Sequence, residues 1–257
     1  MERDIILEVR DLSKSFGGIK AIDSLYLSLK RGELLGIIGP NGSGKSTLVN
    51  IISGFLKPDK GKVLYKGLDI TGMSPYKIAN MGLVRSFQFI RPFYKIPVYK
   101  NVVISLCSER VKRLKGGKFG RRDEVAIDLL EELGFERDSR LLYKQTSELP
   151  HGYLRRVELA RCIALNPELL ILDEILSGMS KPEVASIIPI IKKLNEQGLS
   201  IIMVEHRIKE LFQLAHRVVV LNFGRKIADS TPDKVVQDKM VKSAYLRKAE
   251  IKINFWR

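Results

Sequence analysis

The stretch Leu34-Leu35-Gly36-Ile37-Ile38-Gly39-Pro40-Asn41-Gly42-Ser43-Gly44-Lys45-Ser46-Thr47-Leu48-Val49-Asn50-Ile51-Ile52 decides how this chain is read. An apolar run, Leu34 to Ile38, leads into Gly39 to Thr47, which fits the pattern G-x-x-x-x-G-K-[ST]. A second apolar segment follows, so the order is strand, loop, helix. Each residue type has a physical reason. Gly39, Gly42 and Gly44 let the backbone curl into a nest of N–H groups with no Cβ in the way. A helix beginning near Lys45 turns its positive dipole end and unpaired N–H groups to the same spot. Lys45 adds a point charge for β- and γ-phosphates, and the Ser46 hydroxyl is placed to ligate Mg2+. The stretch is read as a nucleotide-binding loop.

Such a loop serves kinases, GTPases and motors alike, so a second element is needed. Leu169-Leu170-Ile171-Leu172-Asp173-Glu174 is a short apolar run ending in two acids. A buried strand ending so puts Asp173 at the carboxyl edge of a sheet, beside Mg2+. Glu174 is then the candidate general base that polarises the attacking water. Two acids at a strand end also suit a solvated edge; the upstream loop favours the catalytic reading.

Outward from these motifs, short apolar strands recur at Ile5 to Val9, Leu25 to Leu29, Glu33 to Ile38, Lys62 to Tyr65, Ser200 to Val204 and Val218 to Leu221. Helical spacing marks Glu124 to Phe135, Leu154 to Leu165 and Pro182 to Asn195, the last with Pro in its first turn. Strands alternating with helices indicate an α/β sheet. Residues 90–166 read as an inserted helical subdomain, residues 1–89 and 167–240 as the nucleotide-binding core, and 241–257 as a basic C-terminal tail. Glu109 to Arg122 is basic and Gly-containing and reads as a solvated loop, with lipid headgroups or an acidic partner as the alternative.

Bulk properties set limits. The chain has 257 residues, 45% hydrophobic and 28% charged, as a globular protein should. Its longest apolar runs are too short to cross a bilayer, and the acidic N-terminus does not suit a secretory signal. Cys107 and Cys162 lie outside any metal-ligand spacing, so no zinc site is expected, and they read as buried or half-buried thiols of a reducing compartment. Lys plus Arg 44 against Asp plus Glu 29 gives a formal charge of +15. That suits nucleic acid, anionic lipid or a phosphorylated ligand equally.

Further residues fall in the order of a known family. Phe16 lies upstream of the loop, Gln88 in Val84-Arg85-Ser86-Phe87-Gln88, and His206 after Ile201-Ile202-Met203-Val204-Glu205. Ser177-Gly178-Met179-Ser180 follows the paired acids. In this the chain resembles the nucleotide-binding domain of ABC transporters over roughly Ile6 to Leu246. The segments Phe16 to Ala21, Val157 to Arg161 and Gly224 to Ala228 most resemble the ATPases of branched-chain amino-acid importers. The resemblance implies an α/β P-loop NTPase core of the ABC ATPase type, with an antiparallel β subdomain and an inserted α-helical subdomain. It further implies ATP and Mg2+ as cofactors, Phe16 stacking on adenine and Gln88 sensing the γ-phosphate and Mg2+. Asp173 would reach the metal, through water, and His206 the γ-phosphate. The implied partners are a second ABC ATPase subunit and two integral membrane permease subunits, at the cytoplasmic face of the membrane. The alternative is a soluble ABC ATPase acting on nucleic acid or ribosomes; nucleic acid is not expected as a partner, because such members generally carry two cassettes or a long coiled coil.

One segment departs from that pattern. Where the family reads close to Leu-Ser-Gly-Gly-Gln, this chain has Leu149-Pro150-His151-Gly152-Tyr153. The resemblance assigns this segment to the γ-phosphate bound by the opposite subunit. Pro150 lacks both the hydroxyl and the N–H of that contact, and each hydrogen bond to a charged group is worth about 1.5–3 kcal/mol. Ile175 stands where the family usually has Pro, and Ser180 where many members have Asp or Asn. The expectation is an asymmetric heterodimer, in which this chain brings a complete set of its own and a degraded contribution to its partner.

Overall fold

The computed structural model describes residues 4–88, 91–114 and 121–246. The chain packs as two compact units, Met1–Met73 with Ile202–Arg257, and Ser74–Ile201.

The first unit opens with two long antiparallel strands, β1 (Ile5–Phe16) and β2 (Ile19–Lys30). With β4 (Lys60–Tyr65) and β5 (Leu68–Asp69) they form a four-stranded sheet of order β2-β1-β4-β5, in which every pair is antiparallel. This is the expected antiparallel β subdomain. Its strands alternate buried and open positions, the signature of a sheet with one covered face. The same unit holds β3 (Leu34–Ile38), buried at every residue, which runs parallel to β9 (Arg217–Asn222). β10 (Arg225–Ser230) returns antiparallel to β9. Such fully buried runs need cover on both faces, and α8 (Ile208–Leu214) supplies part of it. Leu211 of α8 packs so tightly over Gly36 that a Cβ there would come within 3.0 Å of it. α1 (Lys45–Ile52) follows β3, and α9 (Pro232–Gln237) and α10 (Lys239–Leu246) close the described chain.

The second unit contains the parallel pair β6 (Leu83–Arg85) and β7 (Leu169–Asp173), the latter buried throughout. Around them lie α2 (Pro75–Met81), α3 (Val98–Leu106), α4 (Glu109–Leu114), α5 (Arg122–Glu132), α6 (His151–Ala164) and α7 (Lys181–Glu196). Val102, Ala126, Leu130, Leu142 and Val157 are buried among these helices. Asn101, fully buried, donates to the Thr146 hydroxyl at 2.8 Å and to the Phe93 carbonyl at 3.2 Å. β8 (Ser200–Val204) is the strand through which the division between units falls.

Three sequence expectations change. The segment Glu109 to Arg122, expected as a solvated loop, begins instead as α4 and reaches the first residue of α5, with 115–120 outside the described residues. Arg110 is 7% exposed and binds the carbonyls of Leu165 and Asn166, which offsets the cost of burying its charge. Glu109 in the first turn and Lys112 and Arg113 in the last suit the helix dipole. Val241 to Leu246, placed in the basic tail, is helix α10, with Val241 and Ala244 buried; the rest of that tail lies outside the described residues. Of the cysteines only Cys162 is buried; Cys107 ends α3 and is exposed. No helix among the described residues is long and apolar enough to cross a membrane.

Candidate functional site

The phosphate loop sits in the first unit, where the sequence puts it. β3 delivers Gly39, and α1 starts at Lys45 with Gly44 as its N-cap at φ 104°. A side chain at Gly44 would be strained by that φ, and its Cβ would lie 2.3 Å from the Ala21 carbonyl oxygen. No side chain caps this helix start and no acid lies in its first turn, so its positive dipole end faces no competing anionic side chain of its own. Lys45 is 6% exposed and its Nζ donates to the carbonyls of Gly39 at 2.7 Å and Pro40 at 3.2 Å. The ammonium is thereby folded back over the loop. Ser43 Oγ is buried with no hydrogen-bond partner among the described residues. Asn41, Gly42 and Ser46 are exposed. A loop with a tucked cation, an orphaned hydroxyl and a helix start without a side-chain cap fits the triphosphate of ATP. The exposed Ser46 hydroxyl is an oxygen donor of the kind a hard cation such as Mg2+ takes.

The loop is braced from behind. The Gly224 N–H donates to Ser43 O at 3.0 Å, and the Asp23 N–H to Gly224 O at 3.0 Å. Tyr245 of α10 is hydrogen-bonded to the Gly39 backbone; burial pushes its phenol pKa far above the ordinary range, with the Gly39 bond acting the other way. Sequence reasoning singled out neither Tyr245 nor this brace. Phe16, at the end of β1, is 50% exposed, so its ring is open to stack on a base rather than packed in a core. Lys14 Nζ lies 5.6 Å from the ring centroid. His206 follows β8 and is exposed, beside the buried Glu205. His216, by contrast, is structural: its Nδ1 accepts the Leu34 N–H at 3.0 Å.

The second unit brings Gln88, Asp173 and Glu174 together. Asp173 ends β7 and is 3% exposed. Glu174 follows at φ 53°, a left-handed conformation that costs a non-glycine residue about 1–2 kcal/mol. Strain of this kind is typical of positions where direction matters more than stability. Gln88 Nε2 donates to Glu174 Oε2 at 2.8 Å. Arg85 Nη2 donates to Asp173 Oδ2 at 2.7 Å. The peptide carrying Gln88 is held from α6. Arg155 donates to the carbonyls of Phe87 at 3.2 Å and Gln88 at 3.0 Å, while the Phe87 N–H donates to Glu158 Oε1 at 3.1 Å. Burial raises the Glu158 carboxyl above its usual range, against Arg161, the Phe87 N–H and Arg155, which pull it down. The sequence reading passed over Arg85, Arg155 and Glu158. Charged residues inside buried helical or strand faces were the available signal.

Leu149 to Tyr153 form the start of α6. Pro150 is the N-cap at φ −57° and ψ 154°, with no side-chain cap, and its carbonyl accepts the Leu154 N–H at 3.1 Å. Gly152 is buried, and a Cβ there would lie 2.0 Å from Glu183 Oε1. His151 Nε2 is 3.2 Å from Ser177 O, and Tyr153 packs edge-on against Phe135 at 5.0 Å. Ser180 caps α7 in a reciprocal box with Glu183.

Known proteins resemble this chain along nearly its whole length. The family model described as ABC transporter matches residues 22–177. The high-affinity branched-chain amino acid transport ATP-binding protein LivG of Escherichia coli K12 is 33% identical over 254 residues, 95% of this chain and 98% of the relative. The corresponding BraF protein of Pseudomonas aeruginosa is 32% identical over the same shares. A crystal structure of an ATP-binding cassette of an ABC transporter, in its ADP conformation, superposes with a TM-score of 0.82 at 31% identity. It covers 94% of this chain and 98% of that one.

Proposed function

The chain belongs to the ABC transporter family of ATPases, and we propose that it is the ATP-hydrolysing subunit of an importer for branched-chain amino acids or similar small solutes. The likeness to LivG and BraF over 95% of the chain supports that cargo class. The chemistry rests on one observation above the others: the carboxylate pair at the end of β7, with Glu174 held in a strained conformation and bonded to Gln88 at 2.8 Å.

In this reading Gly39 to Thr47 bind the triphosphate, with Asn41 and Gly42 offering backbone N–H groups and Pro40 shaping the turn. Lys45 leaves its carbonyl partners for the β- and γ-phosphates, and Phe16 stacks on the adenine. Mg2+, when bound, neutralises charge between the phosphates; Ser46, Gln88 and Asp173, the last through water, are the residues that would hold it. Glu174 accepts a proton from the attacking water, and His206 contacts the γ-phosphate. Closure of two ATPase subunits would then be passed to two membrane permease subunits, placing this chain at the cytoplasmic face of the membrane. The domain reading of a core (1–89 and 167–240) with a helical insert (90–166) belongs to the same proposal.

The start of α6 supports an asymmetric heterodimer. Without a Ser hydroxyl and a following Gln, Leu149-Pro150-His151-Gly152-Tyr153 offers little to a γ-phosphate held by a partner. A partner with an intact segment would complete the site on this chain's own loop. The test is ATP turnover by the chain alone and with such a partner. Low activity alone, a rise on mixing, and a fall of about a hundredfold or more with Glu174→Gln in the mixed complex are expected. Robust turnover by the chain alone that Glu174→Gln abolishes overturns the asymmetric reading.

A further inference from the structure

β6 and the residues after it run beside β7 so that polar groups meet in sequence. Leu83, Val84 and Arg85 pair with Leu169, Leu170 and Ile171. The Ser86 N–H then donates to Ile171 O at 2.9 Å, Ser86 Oγ accepts the Asp173 N–H at 3.2 Å, and Gln88 reaches Glu174. Within this ladder Arg85 meets Asp173 at 2.7 Å, with the two side chains 9% and 5% exposed. The guanidinium carbon also lies 5.3 Å from the centroid of the Phe87 ring. A buried carboxylate without a counter-charge is costly, and removing one partner of a buried pair is far more damaging than the pair is stabilising. Arg is suited to the task, because its guanidinium stays charged and meets the Asp173 carboxylate through one directed Nη2–H bond.

We propose that Arg85 is a positioning residue that serves as the resident counter-ion of Asp173. It holds the carboxylate oriented and charge-compensated before a divalent cation arrives, and it competes with that cation for the same group. The inference rests on Asp173 being the metal-side carboxylate of the proposed site. Arg85 thereby lowers metal affinity in exchange for a folded, ready carboxylate in the metal-free chain. The sequence gives the arginine no role, since it lies outside the G-x-x-x-x-G-K-[ST] loop and is not an oxygen donor.

The experiment follows binding of a fluorescent, non-hydrolysable ATP analogue to the full chain as Mn2+ is titrated. Thermal unfolding in EDTA is measured alongside, for the parent chain, Arg85→Gln, Asp173→Asn and the double variant. Arg85→Gln is expected to lower the Mn2+ half-saturation about fivefold, because a like charge is removed from beside the cation. It should also lower the unfolding midpoint in EDTA, which Asp173→Asn in the same chain should restore. Asp173→Asn alone should raise the Mn2+ half-saturation. If it does so while Arg85→Gln leaves the half-saturation unchanged or raises it, the counter-ion role fails and the metal site stands. If Asp173→Asn has no effect on Mn2+, the metal-site reading beneath the inference fails. Should Arg85→Gln not fold, a folded double variant supports charge compensation, and failure of both variants overturns it.

Discussion

The phosphate loop at Gly39 to Thr47 and the start of α6 at Leu149 to Tyr153 are both helix N-termini preceded by a turn, yet they have diverged in opposite ways. The loop keeps every residue its chemistry calls for, and its helix start carries no side-chain cap. The start of α6 has lost the Ser and Gln of its family's pattern but none of its packing. Pro is tolerated at a helix start, Gly152 still admits Glu183 against the backbone, and Tyr153 packs on Phe135. A helix can thus keep its place while the groups it would offer to a ligand are removed. Fold and chemistry are separately specified, residue by residue.

Three changes break or sharpen that contrast. The largest effect falls on the loop: Lys45→Ala is expected to weaken ATP binding about a hundredfold or more, since a charged hydrogen bond to phosphate is lost from a buried position. Equilibrium binding to the purified chain measures it, and an unaltered Kd removes the loop from the nucleotide site. Next is a gain. Pro150→Ser with Tyr153→Gln should raise the ATPase rate of the chain alone about tenfold, by returning one or two hydrogen bonds to a phosphate-gripping segment. A rate that does not move breaks the comparison, because the start of α6 would then not be the limiting half.

The smallest effect concerns the Glu158 clamp behind Gln88. Folding raises the Glu158 pKa above its ordinary value of 4.5, so the folded chain holds that proton more tightly than the unfolded one. The contribution is therefore fully present below pH 4.5 and is lost as pH rises through the raised value. Glu158→Gln, which can still accept the Phe87 N–H, should match the parent chain in acid. It should gain stability over the parent as pH rises. Chemical denaturation across pH checks this, and parallel pH profiles would show that burial is not what governs this carboxyl.

Much of the architecture was legible because it depends on local pattern. Apolar runs such as Leu169 to Leu172 and Ser200 to Val204 read as strands since they are too short for helices and bounded by turn residues. The loop was legible because its glycines, lysine and serine act within one contiguous turn. Glu109 to Leu114 was misread because basic residues beside glycines look solvated, whereas Arg110 finds its carbonyl partners at Leu165 and Asn166, more than fifty residues away. Val241 to Leu246 falls within the stretch named a basic tail, yet its buried positions, Val241 and Ala244, make it a packed helix.

By itself the sequence determined the nucleotide loop, the acids Asp173 and Glu174, the family, and the loss of Ser and Gln at the start of α6. Each of these is carried by residue identity at fixed spacing. Tertiary structure alone decided which charges meet in the dark. Arg85 with Asp173, Arg155 and Glu158 with the Gln88 peptide, and Tyr245 with Gly39 pair groups far apart in the chain. A buried charge must find its partner wherever the packing brings one, and spacing along the chain does not encode that choice.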